Sequence, residues 1–207
     1  MKHAILPLIA ALLSGCSALQ GMLPGGEQAV RFPAQGNTAG ATSGPKFSPT
    51  PIVQGPVLKV TLLERGAQAE LDQSGTNGDV TSWVSRDGIS VSLDRGVLVA
   101  TRGLGDDLMA ASAQPTLDAL AGKPGEYRRE FRFLSAEDHP SYLIMGCTMD
   151  QPSPEALQGK RLMRHDETCR SFTDQQVNSY WTNGSGKIVA SRQWVSPLIG
   201  ALTTAWE

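Results

Sequence analysis

The chain has 207 residues, with 18 Lys and Arg against 20 Asp and Glu and a net charge of −2 at pH 7. A weakly acidic chain without a basic run argues against nucleic acid as a partner, and the length suffices for one domain with a real core. After the first residues, no apolar stretch reaches the ~18 residues that a transmembrane helix requires.

At the start, Lys2 and His3 lead into residues 4–12, which are nearly all hydrocarbon apart from Pro7, and the run closes on Leu13-Ser14-Gly15-Cys16. A basic start, a short apolar segment and small residues before the cut are the layout of an export signal. The Leu-small-small-Cys ending resembles a lipobox, in which the thiol takes up a diacylglycerol group and cleavage leaves the Cys as the new N-terminus. An ordinary secretory signal with an incidental Cys is the alternative; a run this short does not cross ~30 Å of hydrocarbon. Residues 1–15 therefore read as a lipoprotein signal peptide, with Cys16 as the lipidation site. A single acyl chain binds membranes only reversibly, whereas two or three hold. Position 17 is Ser and not Asp, which favours the periplasmic face of the outer membrane.

Residues 16–56 read as the lipidated Cys plus a flexible tether rich in Gly and Pro, too poor in large apolar side chains to offset the entropy of ordering. About 40 flexible residues span roughly 35 Å. Ile52 and Val53 are the part of it best suited to pack on a domain.

The domain is expected over residues 57–207. Strand-like segments fall at 57–63, 67–71, 80–85, 89–93 and 97–101, separated by Glu64-Arg65-Gly66, Arg86-Asp87-Gly88 and Asp94-Arg95-Gly96. A second block covers 127–134, 142–149, 159–165, 169–173, 177–182 and 188–195, with Asn183-Gly184-Ser185-Gly186 as its strongest turn. Alternation with period 2 between such turns marks hairpins. The fold class is all-β: an antiparallel curled sheet forming a barrel or sandwich. Short helices are expected at 115–120, before Gly122; at 154–158, after Ser153; and from Ser196-Pro197 to the C-terminus, with Leu198, Ile199, Leu202 and Trp206 on one face.

With Cys16 assigned to lipid, Cys147 and Cys169 remain as an even pair, which in an exported chain reads as a disulfide. Closing a loop of that size stabilises by about 3 kcal/mol in the chain-entropy model. A two-thiol metal site is the alternative, with His165 as the nearest imidazole.

Three stretches carry a family resemblance: Gly78-Asp79-Val80-Thr81-Ser82-Trp83, residues 97–109 (VLVATRGLGDDLM) and Ser191-Arg192-Gln193-Trp194-Val195-Ser196-Pro197. They resemble the YjbF/GfcB lipoproteins, associated with group 4 capsule and exopolysaccharide export. The resemblance covers most of residues 57–206. It implies an all-β domain beneath the outer membrane and a role in producing or exporting a surface polysaccharide. It also implies two partners, an outer-membrane β-barrel protein of the YjbH/GfcD type and a periplasmic protein of the YjbG/GfcC type. Many members place a helix-like segment before the first strand, where this chain has its Gly/Pro-rich stretch. The family defines no catalytic residues to carry over.

Among candidate contact residues, Arg102, Gly103, Gly105, Asp106 and Asp107 stand out. The glycines allow positive φ or close backbone approach, while adjacent Asp side chains point apart and make a poor acid–base pair. A structural corner is the first reading, a partner or glycan contact the second, and chemistry the third. Arg192 and Trp194 are expected on one strand face, as a surface for glycan or protein or as a core Trp with an Arg at its rim; Trp83, Tyr180 and Trp181 face the same choice. Gly184-Ser185-Gly186-Lys187 only superficially resembles a phosphate loop, because Trp181 and Ile188 occupy positions where the motif needs Gly and Ser or Thr. His139 and His165 have no Gly-x-Ser-x-Gly elbow beside them. Neither a catalytic residue, a metal site nor a cofactor is assigned.

The leading expectation is a non-enzymatic, lipid-anchored accessory subunit that binds an outer-membrane barrel partner. A carrier holding lipid or glycan inside the β-barrel is the alternative. A glycan hydrolase is the third, and needs two carboxylates converging roughly 5–10 Å apart in a cleft.

Overall fold

A computed structural model describes residues 55–134 and 139–206; the signal peptide, Cys16 and nearly all of the expected tether lie outside the described residues. The chain from Val57 to Trp206 forms one antiparallel sheet, β1(Val57–Leu62), β2(Ala67–Asn77), β3(Val80–Val84), β4(Ser90–Asp94), β5(Val97–Arg102), β6(Asp107–Ala111), β7(Tyr127–Leu134), β8(Pro140–Met149), β9(Ser153–Leu157), β10(Lys160–Arg170), β11(Gln175–Thr182), β12(Ile188–Ser196) and β13(Gly200–Trp206), with helix α1(Gln114–Leu120) between β6 and β7. The strands follow the order β5-β4-β3-β2-β1-β13-β12-β11-β10-β8-β7-β6, with β9 also paired to β10. The sheet curls until its two ends, β5 and β6, lie side by side, giving a nearly closed barrel. The expected all-β class is what the chain adopts.

Alternation builds the core. Leu58, Val60 and Leu62 on β1, Val91 and Leu93 on β4, and Phe131 and Phe133 on β7 point inward with their neighbours in register. Trp194 packs edge-on against Phe131 and Phe133, with ring centroids 5.5 and 5.6 Å away. Cys147 and Cys169 face each other across the β8–β10 ladder, Cα atoms 4.0 Å apart, and are joined as a disulfide. Their sulfurs, bonded to each other, are not metal ligands.

Three expectations need correction. The C-terminal segment is not a helix: β13 fills the gap between β1 and β12 with ladders on both sides. Its apolar residues fit a helical stripe, but two unpaired strand edges supply hydrogen bonds that a lone helix does not. The segment after Ser153 is strand β9, not a helix. Pro154 is tolerated there because β9 is an edge strand, where a missing N–H costs nothing. Residues 159–165 and 169–173 are not two strands; β10 is continuous from Lys160 to Arg170, and Ser171–Asp174 closes the next turn with Ser171 N donating to Asp174 O at 2.8 Å. Strand β6 was not foreseen, whereas α1, with Pro115 in its first turn and Gly122 just beyond it, matches its expected place.

Because every pairing is antiparallel, the turns alternate between two ends of the barrel. At the α1 end lie the β2–β3, β4–β5, β9–β10 and β11–β12 turns and the last strand's Trp206. At the other end, here the corner end, lie the β1–β2, β3–β4, β5–β6, β7–β8, β10–β11 and β12–β13 turns.

Candidate functional site

The corner end is organised by the segment that sequence reasoning singled out. Asp107 accepts from Gly103 N at 2.9 Å, Leu104 N at 3.2 Å and Thr101 Oγ1 at 3.0 Å. Leu108 N in turn donates to Thr101 Oγ1 at 3.0 Å. Gly103 and Gly105 sit at φ +86° and +97°, where a side chain is strained. Arg102 donates to Leu108 O at 3.1 Å and Met109 O at 3.3 Å, tying β5 to β6 where the sheet path ends. Asp106 reaches the β12–β13 turn: its carbonyl accepts from Ser196 Oγ at 2.8 Å and its Oδ2 from Leu198 N at 3.3 Å. Both carboxylates are thus occupied by backbone and hydroxyl donors within the corner.

Arg192 lies at the same end, its guanidinium donating to Val177 O at 2.8 Å, while Trp194 is buried among the phenylalanines. Around them large apolar side chains reach solvent. Leu63, Tyr142, Ile144, Phe172, Val177 and Leu198 are six of the seven exposed large hydrophobics among the described residues. Topology puts all six at the corner end; only Met163 lies towards the other. Phe172 is fully exposed at the β10–β11 turn, and Leu198 is 76% exposed at the β12–β13 turn. Beside them, residues 140–145 of β8 pair, among the described residues, with β7 alone, because β10 begins its ladder with β8 at Gly146.

Two polar clusters, missed at the sequence level, hold the barrel that displays this surface. Glu167 is wholly buried and accepts five hydrogen bonds. Thr116 Oγ1 and Tyr127 OH donate to Oε1 at 2.6 and 2.8 Å; Arg129, Asn178 Nδ2 and Tyr180 OH donate to Oε2 at 2.9, 2.7 and 3.2 Å. Burial alone would raise this carboxyl's pKa, but the Arg129 charge and the donors from Thr116, Asn178 and Tyr127 outweigh it and hold the group below the usual carboxylate range. One carboxylate thereby links α1, β7, β10 and β11. Gln193 does the same for the sheet's terminal strand: it accepts from Leu98 N at 2.7 Å and donates to Gly96 O at 2.9 Å, pairing β5 backbone across the barrel interior. The signal was legible, since Arg129 shares strand parity with Phe131 and Phe133, and Glu167 with Cys169. His165, on the same face, has its ring Nε2 3.1 Å from Thr182 Oγ1, and burial pulls its pKa down.

At the α1 end the barrel is open. A cavity of about 800 Å³ is lined by Trp83, Leu93, Leu117, Leu120, Ile188 and Trp206, among others, with Asp79, Arg95 and Lys187 also contributing. The Lys187 backbone belongs to the hairpin tip, where Asn183 Oδ1 accepts from Ser185 N and Lys187 N, both at 3.0 Å.

The fold is an antiparallel barrel braced inside by one carboxylate, pinned by a cross-strand disulfide and bearing an apolar corner end. Residues 53–205 match the model of the YjbF family, described as group 4 capsule polysaccharide lipoprotein GfcB. The chain belongs to that family. Among solved structures it is similar to the hypothetical lipoprotein YmcC of Escherichia coli K12, at 17% identity and a TM-score of 0.57, over 73% of this chain and 81% of that one. At that identity the likeness speaks for the fold alone. No curated protein sequence matches.

Proposed function

We propose that this chain is a non-enzymatic accessory subunit of a capsule or exopolysaccharide export machine. In this reading Cys16 carries the lipid, residues 16–56 are the tether, and residues 57–207 face the periplasm from the outer membrane. Its work is binding: the corner end docks on an outer-membrane β-barrel of the YjbH/GfcD type, with a YjbG/GfcC-type periplasmic protein and the polysaccharide as further contacts. The observation that carries this reading is the gathering of six exposed apolar side chains at one end, next to a half-edge of β8 that no other described strand pairs. Patches of this kind mark interaction sites, and an unpaired strand edge accepts an extended segment by strand addition. Arg102, Gly103, Gly105, Asp106 and Asp107 would then shape the docking surface by fixing the corner, and Arg192 and Trp194 would support its floor.

The test is co-purification from detergent-solubilised envelopes with Phe172→Ser, Leu198→Ser and Tyr142→Ser together. The wild type should recover a large outer-membrane barrel protein, and the triple variant should recover less than a tenth as much at unchanged melting temperature. Equal recovery by both would sink the docking reading.

A second reading, a carrier with a ligand in the barrel, is favoured by the open cavity at the α1 end. Its volume lies within the range of roughly 300–1,000 Å³ common for small-molecule sites.

A further inference from the structure

The cavity at the α1 end has a chemical polarity of its own. Large apolar side chains supply much of its wall: Leu93 from β4, Leu117 and Leu120 from α1, Ile188 from β12 and Trp206 from β13. Trp83 also lines it, with 4% of its surface exposed. Two cations contribute to the same cavity. Arg95 is already neutralised, with Asp94 at 2.9 Å and Asp79 at 3.6 Å. Lys187, exposed on its hairpin tip, has no ion pair among the described residues. The chain itself enters at this end, since Pro56 is part of the lining.

From this arrangement we infer that the cavity binds an amphiphile with one acyl chain and an anionic head. The acyl chain lies against Leu93, Leu117, Leu120, Ile188 and Trp206. The head meets the Lys187 ammonium. A glycan fits less well: sugars stack on exposed aromatic faces, and Trp83 is buried while the rest of the apolar wall is largely aliphatic. The inference rests on the carrier reading and is independent of docking at the opposite end. An anionic single-chain ligand has two sources, a free fatty acid or a lysophospholipid taken from a membrane, and both share this chemistry.

The experiment uses the purified full chain and 11-(dansylamino)undecanoic acid as fluorescent probe, with palmitate, lysophosphatidylglycerol, monoolein and a neutral oligosaccharide as competitors. Saturable probe binding is expected, displaced by palmitate, lysophosphatidylglycerol or both, whichever is the stronger naming the source. Lys187→Ala should weaken both anionic competitors about tenfold and leave monoolein unchanged. Ala121→Trp, at an exposed lining position after α1, should abolish probe binding while circular dichroism and melting temperature stay as in the wild type. Displacement by monoolein or the oligosaccharide alone overturns the anionic class and leaves the carrier reading standing. An absence of any binding, or equal binding by Ala121→Trp, overturns both. Binding that emerges only with Ile52→Ser and Val53→Ser overturns the inference in favour of the chain's own segment as occupant.

Discussion

Glu167 is the residue on which most of the interior polar chemistry converges. Its removal leaves Arg129, only 2% exposed at its side chain, as a buried charge without a counter-ion. Breaking such a pair costs about 3–5 kcal/mol, whereas replacing both members with apolar groups is often neutral. Glu167→Gln should therefore lower stability by about that amount in urea denaturation. The double variant Arg129→Met/Glu167→Leu should recover much of the loss, tempered by the donors of Thr116, Tyr127, Asn178 and Tyr180 that it leaves unmatched. Acid should act in the same direction. Because the folded Glu167 pKa lies below its ordinary 4.5, its contribution is complete above that pH and is lost as pH falls through the lower folded value. His165 has the same sign: its pKa is held below 6.5, so its share is present above that pH and fades on acidification. Thermal scans should show a melting temperature falling gradually below about pH 6.5 and steeply below 4.5, with the steep part missing in Glu167→Gln. A melting temperature that climbs on acidification would contradict the assignment.

At the scale of elements, local pattern and long-range pairing divide the credit. The segment 127–134 was legible because one face is buried and the other wet, so period 2 survives in the sequence. Strand β13 was not, since Leu202 and Trp206 satisfy a helical stripe as well as a strand, and only the waiting edges of β1 and β12 decide. Strand β6 hid behind the corner, whose glycines and aspartates signalled a turn but not the ladder after it. The disulfide was inferred from an even count in an exported chain. Reducing it, or making Cys147→Ser with Cys169→Ser, should cost about 3 kcal/mol by the loop-entropy account, read as a shift in denaturation midpoint. Gly200 shows how an element's end is fixed. It sits at φ +72°, and an added Cβ would fall 2.0 Å from Glu64 Cδ, whose Oε2 accepts from Ala201 N at 2.9 Å. Gly200→Ala should loosen the β1–β2 and β12–β13 turns together, measurable as faster amide exchange at Leu63 and Ala201.

In the proposed reading, the length of the barrel separates an apolar corner end for a protein partner from an open α1 end for a small ligand. The paired deletions expected from that separation are independent, so the Phe172, Leu198 and Tyr142 triple variant should keep full probe binding, and Ala121→Trp should keep full partner recovery. A loss of both by either variant would show that the ends are coupled. The corner built by Arg102, Gly103, Gly105, Asp106 and Asp107 was legible because its glycines and charges mark a turn at a strand end. Gln193, Asn178 and Glu167 were passed over because a polar residue on an inward face looks like an irregularity until its partners are known.

The amino-acid pattern alone determined the β class, most of the hairpins, the cysteine pair and the family, because these depend on neighbours close in sequence or on motifs read directly. Closure of the sheet, the role of Glu167 and the apolar end were decided only by the tertiary structure. The reason is physical: the Glu167 donors stand 11 to 51 residues away from it, and which face is left wet follows from where β5 meets β6, a contact no local alternation encodes.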